Sequence, residues 1–495
     1  MMVNIDDAFS FYQALREEIK AGNIDDVTER VQELEQQLEE HACSATEAFY
    51  VRSILGKYYR KVKNYDKAGN YFREAIRLSK HVEKEHVEKV IDTYLEYAHL
   101  EIEYGQEANG RIELAKLLAM LDANHYPNMY TYGIIFRDLA KVSFKEGDIE
   151  NSVKQYEKAL TYYREALSET HPVTISAIYE LSDVLIQIEN YSDAVELHQR
   201  LGSAYKKEKD KLSEARELLK IGEIHFYIDL KEARKIITKA IKEMTALSEA
   251  FPLDMSKAVL MLAEIDENMG SFPRAINYYK QALDQLTKVY EKDHFMIVYI
   301  YSKIGTLSIR TLKKDQAKTY LEKGLTLSHP FPKIRMQFLY ALGKIYSDEK
   351  SYDQAQKVFT AFLEGLEKED RKKSVAYGNT LQAMAFNYIE QDQIEQAFEF
   401  YKEALAIYEK IPNVKEEKGL TLIRLGYCYE NREKKDISKA DQCYEKGFKQ
   451  LEKTRNQELL EEALAGMIEF YNRNNQPKKK QHYEDKFVKL VNKKS

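Results

Sequence analysis

The residues of this chain that could do chemistry are eleven histidines, three cysteines and 81 carboxylates. Their spacing argues against it. His81 and His86 stand five apart, and no HExxH or Cys/His cluster offers metal-ligand spacing. Cys43, Cys428 and Cys443 form no CxxC pair and no even framework, the pattern of buried thiols in a reducing compartment. There is no GxxxxGK[ST] phosphate loop and no GxGxxG after a strand. The acidic run from Glu33 to Glu40 reads as a solvated helix face rather than a catalytic pair. The expectation is a chain that is not an enzyme and carries neither metal nor cofactor.

The elements that must position any binding residue are set by a repeat. The stretch NYDKAGNYFREAI from Asn64 is a tight turn followed by apolar and small residues at helical spacing. It returns as DIENSVKQYEKAL at Asp148, SFPRAINYYKQAL at Ser271 and QIEQAFEFYKEAL at Gln393. One position in this phrase marks the register. It falls at Val27, Ala68, Gly110, Ser152, Ala194, Ala233, Ala275, Ala317, Ala355, Ala397, Ala440 and Lys479, with successive gaps of 38 to 43 residues. About thirteen residues earlier in most units lies a large apolar residue followed by Gly, Ala or Ser, as in Leu55-Gly56, Leu181-Ser182 and Leu342-Gly343. Two helices per unit explain both markers, because small residues at each let the helix axes approach. The aromatic residue four positions after the second-helix marker, such as Phe72, Tyr156, Tyr279 or Tyr401, is expected to fill the space between units. Pro127, Pro172, Pro252, Pro330, Pro332 and Pro412 fall between units, while Pro273 and Pro477 stand at the first turn of a second helix.

Composition agrees with this architecture. Eight prolines and nineteen glycines in 495 residues favour helix, and 37 tyrosines supply aromatic surface in a chain without tryptophan. A net charge of -6 gives no general drive toward nucleic acid, and no direct nucleic-acid binding is expected. No run approaches eighteen apolar residues, so no membrane span is expected. The opening MMVNIDDAFSFYQALREEIK has acidic residues where a signal peptide would be basic and then apolar, so the expected location is the cytoplasm.

Leu55-Gly56-Tyr59-Ala68-Phe72-Ala75 and Met384-Ala385-Tyr388-Ala397-Tyr401-Ala404 resemble the tetratricopeptide repeat. The period exceeds the family's usual ~34 residues by about eight, roughly one extra turn per helix. Such long units resemble those of kinesin light chains and of the peptide-sensing regulators of Gram-positive bacteria, including the Rap type. The resemblance implies an all-α, right-handed superhelical solenoid of about twelve helix hairpins. It divides as a capping helix pair over 1–48, the repeat solenoid over 49–476, and a basic capping helix over 477–495. VQELEQQLEEH, from Val31, loosely resembles the second helix of the Rap-type response-regulator phosphatases. Their phosphatase Gln sits in a Tyr-x-Leu-Met-x-Phe-Arg-His setting, but the corresponding helix here reads EAFYVRSILGKYY, so that role does not carry over.

In this family the first helix of each unit lines the inner surface. The resemblance therefore implies a peptide- or protein-binding set of Lys57, Arg60, Lys61, Arg137, Lys141, Tyr179, Asp183, Glu223, Tyr227, Glu264, Asn268, Tyr299, Ser302, Tyr340, Asn379 and Gln382. Such a groove is basic early and acidic in its middle, and its Asn, Gln and Tyr residues suit an extended peptide. The family's clamp for a terminal carboxylate needs Lys and Asn on adjoining first helices. Ser53 and Lys57 occupy those places here, which does not support that partner. The expected function is a signalling regulator or adaptor. A constitutive scaffold subunit and a Rap-like phosphatase or modulator are the alternatives, and the oligomeric state is left open.

Overall fold

A computed structural model of the chain describes residues 31–36, 38, 44–82, 84–247, 251–454 and 456–492. The register mark at Val27, Cys43 and most of the expected N-terminal cap lie outside these residues. Helix accounts for nearly all of the rest, and no strand occurs among the described residues. The chain divides into two compact units, one ending at residue 248 and the other beginning at 249.

In unit 1 the described α-helices form five pairs: α1 (Ala45–Lys61) with α2 (Tyr65–Leu78), α3 (Val87–Glu103) with α4 (Glu107–Ala123), α5 (Met129–Lys145) with α6 (Ile149–Ala166), α7 (Pro172–Gln187) with α8 (Tyr191–Glu208), and α9 (Lys211–His225) with α10 (Leu230–Thr245). Residues 31–36 are also helical, and Val31 and Leu34 bury themselves against Val51, Ile54, Leu55 and Tyr58 of α1. Unit 2 has six pairs: α11 (Pro252–Asn268) with α12 (Phe272–Leu286), α13 (Phe295–Arg310) with α14 (Lys314–Leu327), α15 (Pro332–Asp348) with α16 (Tyr352–Lys368), α17 (Val375–Glu390) with α18 (Ile394–Tyr408), α19 (Lys415–Asn431) with α20 (Ile437–Leu451), and α21 (Gln457–Arg473) with α22 (Pro477–Asn492). Within each unit a first helix packs on its own second helix, and that second helix packs on the next first helix.

The turn inside a pair is built the same way almost every time. The residue before the N-cap of the second helix is in the left-handed region: Lys63, Gly105, Gly147, Glu189, Gly270, Leu312, Lys350, Asp392 and Asn475. The next N–H then bonds back to a carbonyl of the first helix, as in Asn64 to Tyr59 at 2.8 Å, Asp148 to Ser143 at 2.9 Å and Ser351 to Tyr346 at 2.8 Å. This closes the helix with a left-handed cap and satisfies a carbonyl that would otherwise be orphaned. Where the residue is not glycine, the left-handed conformation costs about 1–2 kcal/mol, which the same two or three bonds offset in each copy.

Both register marks are buried as their small size requires. Ala68, Ala194, Ala233, Ala275, Ala317, Ala355, Ala397 and Ala440 are fully buried on their second helices. The aromatic residues differ from the expectation. Phe72 packs first on Gly56 of its own pair, where an added Cβ would stand 2.6 Å from the ring, and only then reaches Tyr97 of the next pair at 6.2 Å. Phe359 covers Gly343 and Tyr444 covers Gly426 in the same way. The first-helix glycine is therefore a seat for its partner's side chain, not merely a point of close axis approach. The prolines are also more specific than punctuation, since Pro172, Pro252 and Pro332 are the first residues of α7, α11 and α15. There the missing N–H is one the helix could not use. Lys479, which replaces the small residue at the last mark, reaches back to Asp441 at 2.7 Å and Glu445 at 3.0 Å on α20.

Candidate functional site

The expected binding residues lie on first helices except Tyr227, which falls in the turn after α9 because that helix ends at His225, and most of them face other residues of this chain. Lys57 pairs with Asp92, and Arg60 pairs with Glu96 and with Glu103, all on α3. Two pairs further on, Arg137 makes a two-pronged bridge to Glu180 of α7 at 2.6 and 2.8 Å and also donates to Ser176 at 2.6 Å. Lys141 reaches the same Glu180 at 3.3 Å. The Glu180 bonds hold Arg137 above even its ordinary range, while Arg137 outweighs burial and holds Glu180 below the usual carboxylate value. The early basic charges are thus tied to carboxylates one repeat away, and only Lys61 of that group is exposed without an ion pair among the described residues. The signal for Glu96, Glu103 and Glu180 was the period itself, since first helices of adjoining pairs face each other at 36 to 43 residues.

The same ladder contains a titratable rung. His99 of α3 meets Asp138 of α5 at 2.7 Å. Burial pulls the imidazole down, but the bond and charge of Asp138 outweigh it and leave the pKa raised. A raised histidine stabilises fully below its unfolded pKa of about 6.5 and loses that contribution as pH rises through the folded value. Urea unfolding of wild type and His99→Gln is therefore expected to differ most below about pH 6 and to converge as pH rises above the folded-state pKa. A gap that is constant with pH would show that the rung does not titrate.

The middle set is anchored around a buried polar cluster. Tyr179 of α7 donates to Glu217 of α9 at 2.8 Å, and Glu217 also accepts from His198 of α8 at 2.7 Å. The other His198 nitrogen meets Ser182 of α7 at 2.9 Å. Asp183 is exposed, 4.0 Å from Lys220, and the Glu223 carboxylate lies 3.4 Å from the same lysine. Tyr227 is 60% exposed and stacks on Tyr191 at 5.8 Å. The Ser182–His198–Glu217 arrangement has the order of a nucleophile, base and orienting acid. His198 and Ser182 are fully buried, however, so no substrate reaches the hydroxyl. It is a structural core, legible as Ser at the glycine mark and His at the aromatic position of one repeat.

In unit 2, Glu264 lies beside Glu267, which holds Lys303 at 3.0 Å; burial raises Glu264 above the usual carboxylate range. Asn268 is spent on the Glu264 carbonyl at 2.8 Å. Ser302 donates to Gln337 at 3.1 Å. Asn379 accepts from Tyr408 at 2.7 Å, and Gln382 donates to the Glu417 carbonyl at 3.0 Å and to Thr421 at 2.5 Å. Tyr299 packs beside Phe295 with Lys303 over its ring, and Tyr340 packs beside Phe362 with Lys344 over its ring. The large apolar side chains these first helices leave open are two aromatic ones, Phe295 at 47% and Phe386 at 41%, and two aliphatic ones, Leu253 at 46% and Ile309 at 38%. Among the described residues no group of His, Cys, Asp and Glu could hold a metal ion, and no helix is long and apolar enough to cross a membrane.

Comparison with known proteins places this architecture. Models of the tetratricopeptide repeat match residues 51–81, 132–207 and 335–410. The kinesin light chain-related protein 3 of Arabidopsis thaliana is 26% identical over 195 residues, which is 37% of this chain and 29% of that protein. The chain thus spans under a third of that relative's length. The mouse alpha-soluble NSF attachment protein is 21% identical over 234 residues, 47% of this chain and 77% of that one. Among solved structures, the C-terminal part of a repeat protein from Cytophaga hutchinsonii aligns over 58% of this chain and 98% of its own, with 18% identity and a TM-score of 0.42. Apo RapI aligns over 57% of this chain and 98% of its own, with 13% identity and a TM-score of 0.37. With the recurring marks of both units on the helices and at the burial that the motif demands, the chain carries tetratricopeptide repeats over those matched residues.

Proposed function

We propose that the chain binds an extended peptide or protein segment along the first helices of unit 2, chiefly α13, α15 and α17, as a non-enzymatic regulator or adaptor. The observation that carries this reading is a contrast between the units. In unit 1 Lys57, Arg60, Arg137 and Lys141 of the first helices are held by carboxylates of the same chain, as Lys303 is in unit 2. In unit 2 the first helices expose Phe295 and Phe386, and the intervening α15 offers Tyr340 and an exposed Lys344 that has no ion pair among the described residues. Exposed aromatic rings flanked by cations are the surface that anchors a peptide side chain while leaving its direction to charge.

Selection from a random-peptide display library tests this. Peptides enriched on wild type are expected to lose at least about tenfold in affinity to Lys344→Glu/Phe386→Ser, a change of ~1.4 kcal/mol or more. They should bind Lys61→Glu, on α1, as they bind wild type. The reading fails if no peptide is enriched, or if binding ignores the unit 2 changes and follows Lys61.

A further inference from the structure

Between α15 and α17 lies a cleft of about 260 Å³ whose wall includes Asn387, a side chain only 2% exposed. The orientation of its amide is fixed by a neighbour. Ser347 commits its single hydroxyl proton to the Gly343 carbonyl at 2.8 Å, so Asn387 must donate to the Ser347 oxygen, also at 2.8 Å. That leaves the Asn387 Oδ1 buried with no hydrogen-bond partner. An unpaired buried acceptor destabilises the fold around it, and a ligand that brings a donor recovers that loss.

The rest of the cleft narrows what that ligand is. Its volume falls below the ~300–1,000 Å³ of sites that enclose a free small molecule, and matches a single side chain of a longer chain. Phe359, Phe386 and Ala383 supply apolar wall. Lys344 and Lys350 line the mouth, and Arg424, already bridged to Glu462, lies 5.6 Å from the Phe386 ring centre. Opposing them is Glu390, while Asp348 is already bonded to Lys314 at 2.9 Å. This positive balance disfavours an arginine or lysine. A carboxylate or phosphate carries no proton for Asn387, and a phenylalanine or leucine leaves the oxygen unpaired.

We infer that this cleft is the anchor site for a tyrosine side chain of the bound peptide, its ring against Phe386 and Phe359 and its hydroxyl donating to Asn387. The inference rests on the peptide-binding reading above and adds the residue recognised. Because the acceptor is buried, the phenol enters by loosening the seam between α15 and α17, so binding changes the spacing of those helices.

The same display selection separates the two ideas when run on wild type, Ala383→Phe, which fills the cleft from its wall, and Asn387→Leu, which removes the acceptor at similar size. Wild type is expected to enrich tyrosine over phenylalanine at one peptide position. Replacing that tyrosine by phenylalanine in a synthetic peptide should weaken binding about tenfold to wild type and not at all to Asn387→Leu. Ala383→Phe should bind the tyrosine and phenylalanine peptides equally weakly. Circular dichroism of each variant checks that the helices remain. Enrichment without tyrosine, enrichment of phenylalanine or tryptophan instead, or equal binding by wild type and Ala383→Phe overturns the anchor and leaves the peptide-binding reading standing. Failure to enrich any peptide overturns both.

Discussion

Glu217→Ala is expected to destabilise unit 1 by about 2–6 kcal/mol, the sum for orphaning two buried hydrogen-bond donors. Glu217 is 3% exposed, and each of its oxygens accepts one bond, from His198 and from Tyr179. The truncation leaves the imidazole N–H and the phenol without acceptors where water does not replace them. Each orphaned group costs on the order of 1–3 kcal/mol. Three helices meet at this carboxylate, so the loss is shared by the pairs α7–α8 and α9–α10 and falls off beyond them, because each repeat touches only its neighbours. Hydrogen exchange over residues 172–225 should quicken strongly, while residues 332–408 keep their wild-type protection. A control comes from the other repeats. Tyr179→Phe/Ser182→Gly/His198→Phe/Glu217→Leu removes every polar member and restores the ring-on-glycine contact seen at Gly343 and Phe359, and it should be far more stable than Glu217→Ala. An apolar replacement of a whole buried polar cluster is often neutral or stabilising. Single-variant exchange within about 1 kcal/mol of wild type would show that the cluster is not energetically coupled.

That cluster also shows where sequence reading stopped. The helix pairs were legible because their determinants are local: a small residue at a fixed offset, a turn residue able to sit at positive φ, and an apolar stripe. Tyr179 was correctly placed on a first helix, but its partner Glu217 lies on another first helix 38 residues away. The same holds for Lys57 and Asp92, and for Arg137 and Glu180. A charge seen alone on an exposed helix face looks available to a ligand. Only the distance between facing helices tells whether a carboxylate of the next repeat has already taken it. Asn387 was missed for the complementary reason. Its position next to Tyr388 looked like any polar residue of a first helix, and its significance depends on where the single proton of Ser347 goes.

The second large effect belongs to the seat under the second-helix ring. Phe359→Ala should cost about 3–5 kcal/mol, since the ring is fully buried over Gly343 and beside Tyr340 at 6.4 Å, and helices α15 and α16 cannot close the space it leaves. Gly343→Ala tests the same contact from the other side. Alanine is better than glycine in a helix by about 1 kcal/mol, so propensity alone predicts stabilisation. The added Cβ collides with the Phe359 ring, however, and overpacking of this kind costs about 1–3 kcal/mol, so the net effect is destabilising. The two positions must then be non-additive. In the α3–α4 pair, Ala98 and Leu114 occupy the corresponding places and both are fully buried. Gly343→Ala/Phe359→Leu recreates that combination, and it should be more stable than the sum of its single changes by about 1 kcal/mol or more, a coupling expected only for residues in contact. Urea unfolding followed by helix circular dichroism, with hydrogen exchange over residues 332–368 to localise the change, measures the cycle. Strict additivity would mean that the small residue and the ring are conserved in step along the chain without holding each other in place.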